Sequence, residues 1–484
     1  MCLTDSSRPP LHRDVIVALG AMISVAGAGI VNAPAFAIVA IVLVAMVAAV
    51  ISPVGLAAAS IATLPWFYHP LSLGQAVVPA SELLLVAAAV GVGVRTAGSL
   101  VLDRPGRRGT LTSLGDTFRS PLVIVALIVT IVGLVLAIWP YDPLHRAESL
   151  REWRWTLAEP LILIGVLTLT ARRHARLVGL ALLAGATLAS MQGIGDLITG
   201  GGVVVEGTHR IAGPYQHPNS LAIYQARALA FAAAWWALDG RARRWLTPVV
   251  VVIGLATVAT FSRGAIMAAG VAGLLILWHA PPRVRATGYA AGALGLTGLL
   301  IVARERMLDL FSGGSGSLRL AIWDSALRMI ADRPIRGYGN DQFLYAYLPR
   351  YVNPVAWSER FTAHAHNFIL DFWVRLGIIG LAFAILAAIA CLRAGWRFTA
   401  GSGMGDMVPL AAGVGLVAVV VHGLVDNAYF AHDLAMSAWV LGWLAFGRAD
   451  PADGEDSAND ASSRDRRSWL HRFPSVRGSA QRRS

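Results

Sequence analysis

Two histidines and an asparagine stand together in His364-Ala365-His366-Asn367. An imidazole titrates near neutrality, so at the mouth of a helix either histidine can take a proton from a hydroxyl group. Asn367 is equally suited to cap the helix that follows. Arginines offer the complementary chemistry. Arg263, in Phe261-Ser262-Arg263-Gly264, opens an apolar run, where free backbone N–H groups at a helix N-terminus favour an anion; it can equally snorkel to a membrane surface. Arg319 lies one helical turn from Trp323, so guanidinium and indole can face one cavity and suit a phosphate beside a sugar or lipid. The plainer alternative is a packed cap helix in which arginine pairs with Asp324 or Glu305, and Arg328, Arg333 and Arg336 are read that way. Between Arg210 and Asn219 lies a polar, turn-rich stretch. Asn219 is read as a helix N-cap, while Arg210 and His217 either line the same cavity or only order a turn. Asp426, beside His422 and Asn427, can orient a catalytic histidine or balance an arginine.

Other chemistries find no footing. The chain has no phosphate-cradling glycine loop, and no carboxylate cluster suggests a metal site, so neither metal nor cofactor is expected. Its two cysteines, Cys2 and Cys391, make no disulfide framework. The loops on the arginine-rich side are too short for a nucleotide-using domain, so any reaction draws its energy from its substrate.

These residues must be positioned by helices in lipid. The 484-residue chain is 56% hydrophobic and 14% charged, far below the roughly 25% charged of soluble domains. Apolar segments recur near 15–31, 35–51, 54–67, 76–94, 121–139, 155–170, 177–198, 219–237, 246–260, 263–279, 286–302, 366–391, 408–424 and 433–447, predicting an all-α bundle of 12 to 14 transmembrane helices. The net charge is +12 and every basic residue is arginine, a uniformity that fits codon bias. Most of the arginines fall in short loops rather than in a nucleic-acid patch. Arg95 to Arg119, Arg172 to Arg176, Arg241 to Arg244, Arg283 with Arg285, and Arg393 with Arg397 all fall on one side of the predicted bundle, together with both termini. The positive-inside rule makes that side cytoplasmic. The candidate residues then gather on the opposite, extracytoplasmic side, around one large loop at 303–365 that reads as a folded cap. Residues 1–447 are expected to form the membrane domain and 448–484 a disordered cytoplasmic tail.

The pair His366-Asn367, then nine residues, then Gly377-Ile-Ile-Gly380, resembles the hallmark of the O-antigen ligase and polymerase superfamily, which includes bacterial protein O-oligosaccharyltransferases. Ser262-Arg263-Gly264, the Arg319–Trp323 stretch, Arg333-Pro-Ile-Arg-Gly-Tyr-Gly339, Gly213 to Asn219 and the Asp426 turn fit the same pattern in the same order. The resemblance implies a metal-independent, GT-C-like glycosyltransferase of the bacterial inner membrane. It would take a glycan from a polyprenyl-diphosphate carrier to a hydroxyl of a lipid, glycan or protein acceptor outside the membrane. His366 would activate the acceptor and Arg263 and Arg319 would meet the diphosphate, with Arg210, His217, Asn219, His364, Asn367 and Asp426 binding substrate; His364 is the rival catalytic histidine. A polymerase is the alternative within the superfamily. A lipid-linked glycan flippase, expected to carry mid-span charges, and a scaffold protein are the alternatives outside it.

Overall fold

The apolar runs become helices where the chain supplies start signals. Pro53, Pro121 and Pro218 stand in first helical turns, where a missing N–H leaves nothing unsatisfied. The computed structural model describes residues 10–30, 48, 51–73, 76–101, 107–171, 174–205, 207–278, 282–302, 315–399 and 407–447. Most of the expected 35–51 segment, the first part of the 303–365 loop with Glu305, and the 448–484 tail lie outside the described residues.

The order is α1 Pro10–Ile30, α2 Pro53–Ala62, a hairpin of β1 Leu71–Leu73 and β2 Ala76–Val78, α3 Ala80–Val101, α4 Arg107–Arg119 and α5 Pro121–Ile138. Helix α6 Arg146–Trp153 runs through a π-helical turn, Arg154–Ala158, into α7 Glu159–Thr170, followed by α8 Ala175–Thr199 and a second hairpin, β3 Val203–Val205 with β4 Thr208–Arg210. Then come α9 Pro218–Leu238, α10 Arg243–Ala259, α11 Arg263–Trp278, α12 Pro282–Val302, α13 Ser315–Asp332, α14 Phe343–Arg350, α15 Phe368–Thr399, α16 Met407–Gly423 and α17 His432–Phe446. Both hairpins are antiparallel two-stranded ribbons, so the fold remains an all-α polytopic bundle. Among the described residues, five helices (α3, α5, α8, α9 and most of α15) are individually long and apolar enough to cross a bilayer.

Helix α9 is the hub. Its Leu221, Tyr224, Phe231 and Trp235 are buried against a core shared with α10, α11 and α16. Helix α5 lies at the edge, with Ile124, Val125, Ile128, Ile131 and Val135 all exposed on a lipid-suited face. Residues 107–119, expected within an arginine-bearing loop, form a helix instead.

The 303–365 region has its own apolar core, as a folded cap should. Ile322, Met329, Tyr338, Phe343 and Tyr347 bury one another, with Val374 of α15 closing the base. The cap is fastened to α15 through backbone. Tyr338 N–H donates to Val374 O (2.7 Å), Gly339 N–H to Arg375 O (2.9 Å) and Ile378 N–H to Ile335 O (3.1 Å). These bonds replace ladder bonds of α15, which breaks at Gly377 (φ 62°, ψ −150°), a conformation essentially confined to glycine. A Cβ at Gly377 would lie 1.9 Å from Ile335 O, and one at Gly380 would lie 2.1 Å from Phe372 O. The Gly-x-x-Gly spacing and the Gly337-Tyr-Gly339 run are thus two halves of one backbone joint.

Candidate functional site

Four segments meet at the end of the bundle under the cap: the 360–367 loop, α13, the 424–431 turn and the 260–263 turn. Asp426 is their common point. Its Oδ1 accepts from His366 Nδ1 at 3.0 Å, and its Oδ2 from Arg319 Nη2 at 3.0 Å. The carboxylate is 4% exposed. Burial alone would raise its pKa, but hydrogen bonding and charge from His366 and the charge of Arg319 hold it well below the usual carboxylate range.

An ionised carboxylate can only accept, so it assigns the proton of neutral His366 to Nδ1 and leaves the lone pair on Nε2. Nε2 faces Thr362 Oγ1 at 3.4 Å, and that hydroxyl gives its own proton to His364 O. His366 also has a positive φ of 52°, uncommon for a side-chain-bearing residue. The conformation is held from several directions. Trp323 Nε1 donates to His366 O, His366 N–H donates to His364 Nδ1, and Asp371 Oδ1 accepts from Ala365 N–H at 2.7 Å. Arg319 and Trp323 therefore do face one site, and Asp324 pairs with Arg328 at 3.1 Å rather than with Arg319.

His364 packs edge-on to His366, with ring centroids 4.2 Å apart. Burial, then the charge of His366, pushes its pKa well below the ordinary histidine value. With Nδ1 already accepting from His366 N–H, His364 serves as a neutral support more readily than as a base. His364, His366 and Asp426 also bring one possible metal-ligating atom each within 4.8 Å of one another, a grouping sequence reading did not foresee. A cation there would compete with Arg319 and the His366 Nδ1–H for the same carboxylate.

The other expected residues divide between the site and its frame. Asn367 caps α15, its Oδ1 accepting from Ile369 and Leu370 N–H, and its Nδ2 donates to Leu424 O (2.9 Å), tying the histidine loop to the Asp426 turn. Arg263 opens α11 beside that turn, because a Cβ at Gly264 would touch His422 and Val425. Arg210 is 6% exposed and braces the adjoining turn, donating from Nε to Thr260 O (2.6 Å) and from Nη2 to Asn219 Oδ1 (2.7 Å). Asn219 accepts from Arg210 rather than capping α9; the cap is His217, whose side chain accepts from Asn219 N–H. His217 stands within electrostatic reach of Asp426, Glu359 and His366, and burial followed by Arg210 lowers its pKa.

Two buried arginines escaped sequence reading. Arg375, 2% exposed, pairs with Glu152 at 2.6 Å, donates to Ala363 O at 3.0 Å and lies over the Phe430 ring at 4.3 Å. Glu152 also accepts from Asp341 N–H. Arg227, 1% exposed on α9, donates to Ala428 O (2.9 Å), Leu434 O (2.7 Å) and Ser437 Oγ (3.1 Å). One pins the histidine loop and the other the far end of the Asp426 turn. Only a buried basic residue in an apolar run signals either in the sequence; Glu152 and the partners of Arg227 lie more than 200 positions away.

Residues 248–385 match the protein family described as O-antigen ligase. A curated relative, the O-antigen ligase of Salmonella typhimurium, is 30% identical over 146 residues, which cover 28% of this chain and 36% of the relative. The match therefore spans about a third of that protein's length. The family segment contains Arg263, Arg319, His366 and Gly380.

Proposed function

We propose that this chain, a member of the O-antigen ligase superfamily, moves a glycan from a polyprenyl-diphosphate carrier to an acceptor hydroxyl at the extracytoplasmic face of the bacterial inner membrane, and acts as a ligase. The Asp426-centred pairing of His366 with Arg319 carries this reading. It places a lone pair on His366 Nε2 and a cation on the opposite side of one carboxylate.

The acceptor hydroxyl gives its proton to His366 Nε2 as its oxygen bonds to the anomeric carbon. The bond from that carbon to the diphosphate oxygen breaks, and the polyprenyl diphosphate leaves with the electron pair. Arg263, at a helix N-terminus, and Arg319 meet the charge that develops on the leaving oxygen, the point at which fixed donors are most effective. Asp426 holds the imidazolium that forms. No nucleotide enters, because the diphosphate linkage supplies the driving force.

The test is complementation of a deletion strain with His366→Ala and Arg263→Ala. Both proteins should reach the membrane at normal levels and leave the acceptor without its glycan. Full transfer by both would end the assignment, and accumulation of single repeat units on the acceptor would instead identify a polymerase.

A further inference from the structure

Two clamps flank the pairing of His366 with Asp426. On one side, Asn367 Nδ2 donates to Leu424 O at 2.9 Å. On the other, Arg375 Nη2 donates to Ala363 O at 3.0 Å, while its guanidinium lies 4.3 Å from the centre of the Phe430 ring. The histidine loop and the acid turn are thus joined in antiparallel order, 363 with 430, 366 with 426 and 367 with 424. A slip by one extended residue, about 3.3 Å, would part the imidazole from the carboxylate.

The second clamp is held from every side. Asp371 and Arg375 stand one turn apart on α15, so both face the loop. Asp371 Oδ1 accepts from Ala365 N–H at 2.7 Å and Arg375 donates to Ala363 O, so the helix grips the loop backbone with an acceptor and a donor. Phe430 is fixed within its own turn. Its N–H donates to Asn427 Oδ1 at 2.8 Å, and its O accepts from Asn427 Nδ2 at 3.1 Å. Asn427 N–H donates to Asp426 Oδ1 at 2.9 Å, which ties the ring to the carboxylate. Glu152 aims the guanidinium from α6, accepting from Arg375 Nη1 at 2.6 Å and from Asp341 N–H. Neutralising Glu152 would need only that ion pair. The two further contacts go to the two segments that carry the reacting pair. A guanidinium can make all three, because its terminal nitrogens point to different acceptors and its flat face covers a ring.

We infer that Arg375 is a positioning residue for glycan transfer, holding His366 in register with Asp426 through Ala363 and Phe430, with Glu152 setting its aim. The inference rests on the transfer reading above. It makes α6 part of the frame of the reaction, although Glu152 lies outside the family segment 248–385. Arg375 is 2% exposed, so its effect belongs in kcat rather than in KM.

The test compares transfer kinetics and melting curves of the full-length wild-type and Arg375→Lys proteins in nanodiscs. Lysine keeps a cation for Glu152 but has no fork and no flat face. Its kcat should fall roughly tenfold, as for one lost hydrogen bond to a charged group, with KM for the lipid-linked donor within about twofold of wild type. In an Asp426→Asn background the same substitution should cost less than about threefold, because the register it guards is already lost. Equal losses in both backgrounds, a rise in KM alone or an unchanged kcat each overturn the inference. If Arg375→Lys does not fold, Phe430→Leu, which leaves the ion pair in place and removes the ring, takes its part with the same expectations. A wild-type protein inactive on polyprenyl-diphosphate donors would overturn the transfer reading and this inference with it. An active wild-type protein with unaffected variants would overturn the positioning role alone.

Discussion

Asp426→Asn isolates the centre of the proposed mechanism. The carboxylate accepts from His366 Nδ1–H and Arg319 Nη2 at 3.0 Å each, and from Asn427 N–H at 2.9 Å. Asparagine keeps one acceptor oxygen and offers an amide donor in place of the other. Either His366 Nδ1–H or the Arg319 guanidinium must then face a donor. A hydrogen bond to a charged group contributes about 1.5–3 kcal/mol, so transfer should slow by roughly 10- to 150-fold. The larger loss is expected if the amide meets His366, because the imidazole would move its proton to Nε2 and lose the lone pair that receives the acceptor's proton. The assay is the initial rate of glycan transfer from a polyprenyl-diphosphate donor near neutral pH, with a melting curve to establish folding. A folded Asp426→Asn protein within threefold of wild type would refute the role given to this carboxylate. The wild-type rate should also show no acid limb from Asp426 between pH 5 and 8. Its folded-state pKa is depressed, so the ionised form, and the stability linked to it, persist above the unfolded value and disappear only as pH falls below it.

Gly377→Ala should prevent accumulation of folded protein, because about 1–3 kcal/mol of backbone strain comes on top of a Cβ 1.9 Å from Ile335 O; a normal melting temperature would contradict the joint described above. Arg375→Met should destabilise the protein by about 3–5 kcal/mol by leaving Glu152 buried without its cation, and Glu152→Gln combined with Arg375→Met should recover part of that in thermal melts. Equal melting of the single and double variants would show that the pair is uncoupled. His364 is held neutral in the fold, so the unfolded chain binds its proton first on acidification, and stability should fall as pH drops below about 6.5. His364→Asn should flatten that fall, as read by melting temperature from pH 7 to 5.

Much of the fold was legible because lipid imposes long apolar runs, and the arginine-rich loops alternated consistently with them. The grouping of His366 and Asn367 with Gly377 was legible because a fixed backbone joint constrains residue type at fixed spacing, and Asp426 stood out because an acid beside an apolar run needs a partner. Arg210 stood between cavity wall and ordered turn in the sequence, because a polar residue beside a turn looks the same whether it meets substrate or braces Thr260. Glu152 and Arg375 were invisible as a pair because 223 positions separate them. Helix α4 was missed because its 13 residues, mixing arginine, threonine, serine and aspartate with few apolar groups, lack the long apolar run that marks the other helices.

The break at Gly377 has a mechanical consequence. Unbroken, α15 would be a rod of about 48 Å, longer than the roughly 30 Å hydrocarbon layer. The part after the break, residues 378–399, is about 33 Å long and close to that thickness. Bilayers of differing thickness tilt such a rod. Because Val374 O and Arg375 O before the break and Ile378 N–H after it all bond to the cap, the start of the membrane-length rod and the cap are locked together at one point, so the depth of the rod in the bilayer sets the depth of the cap.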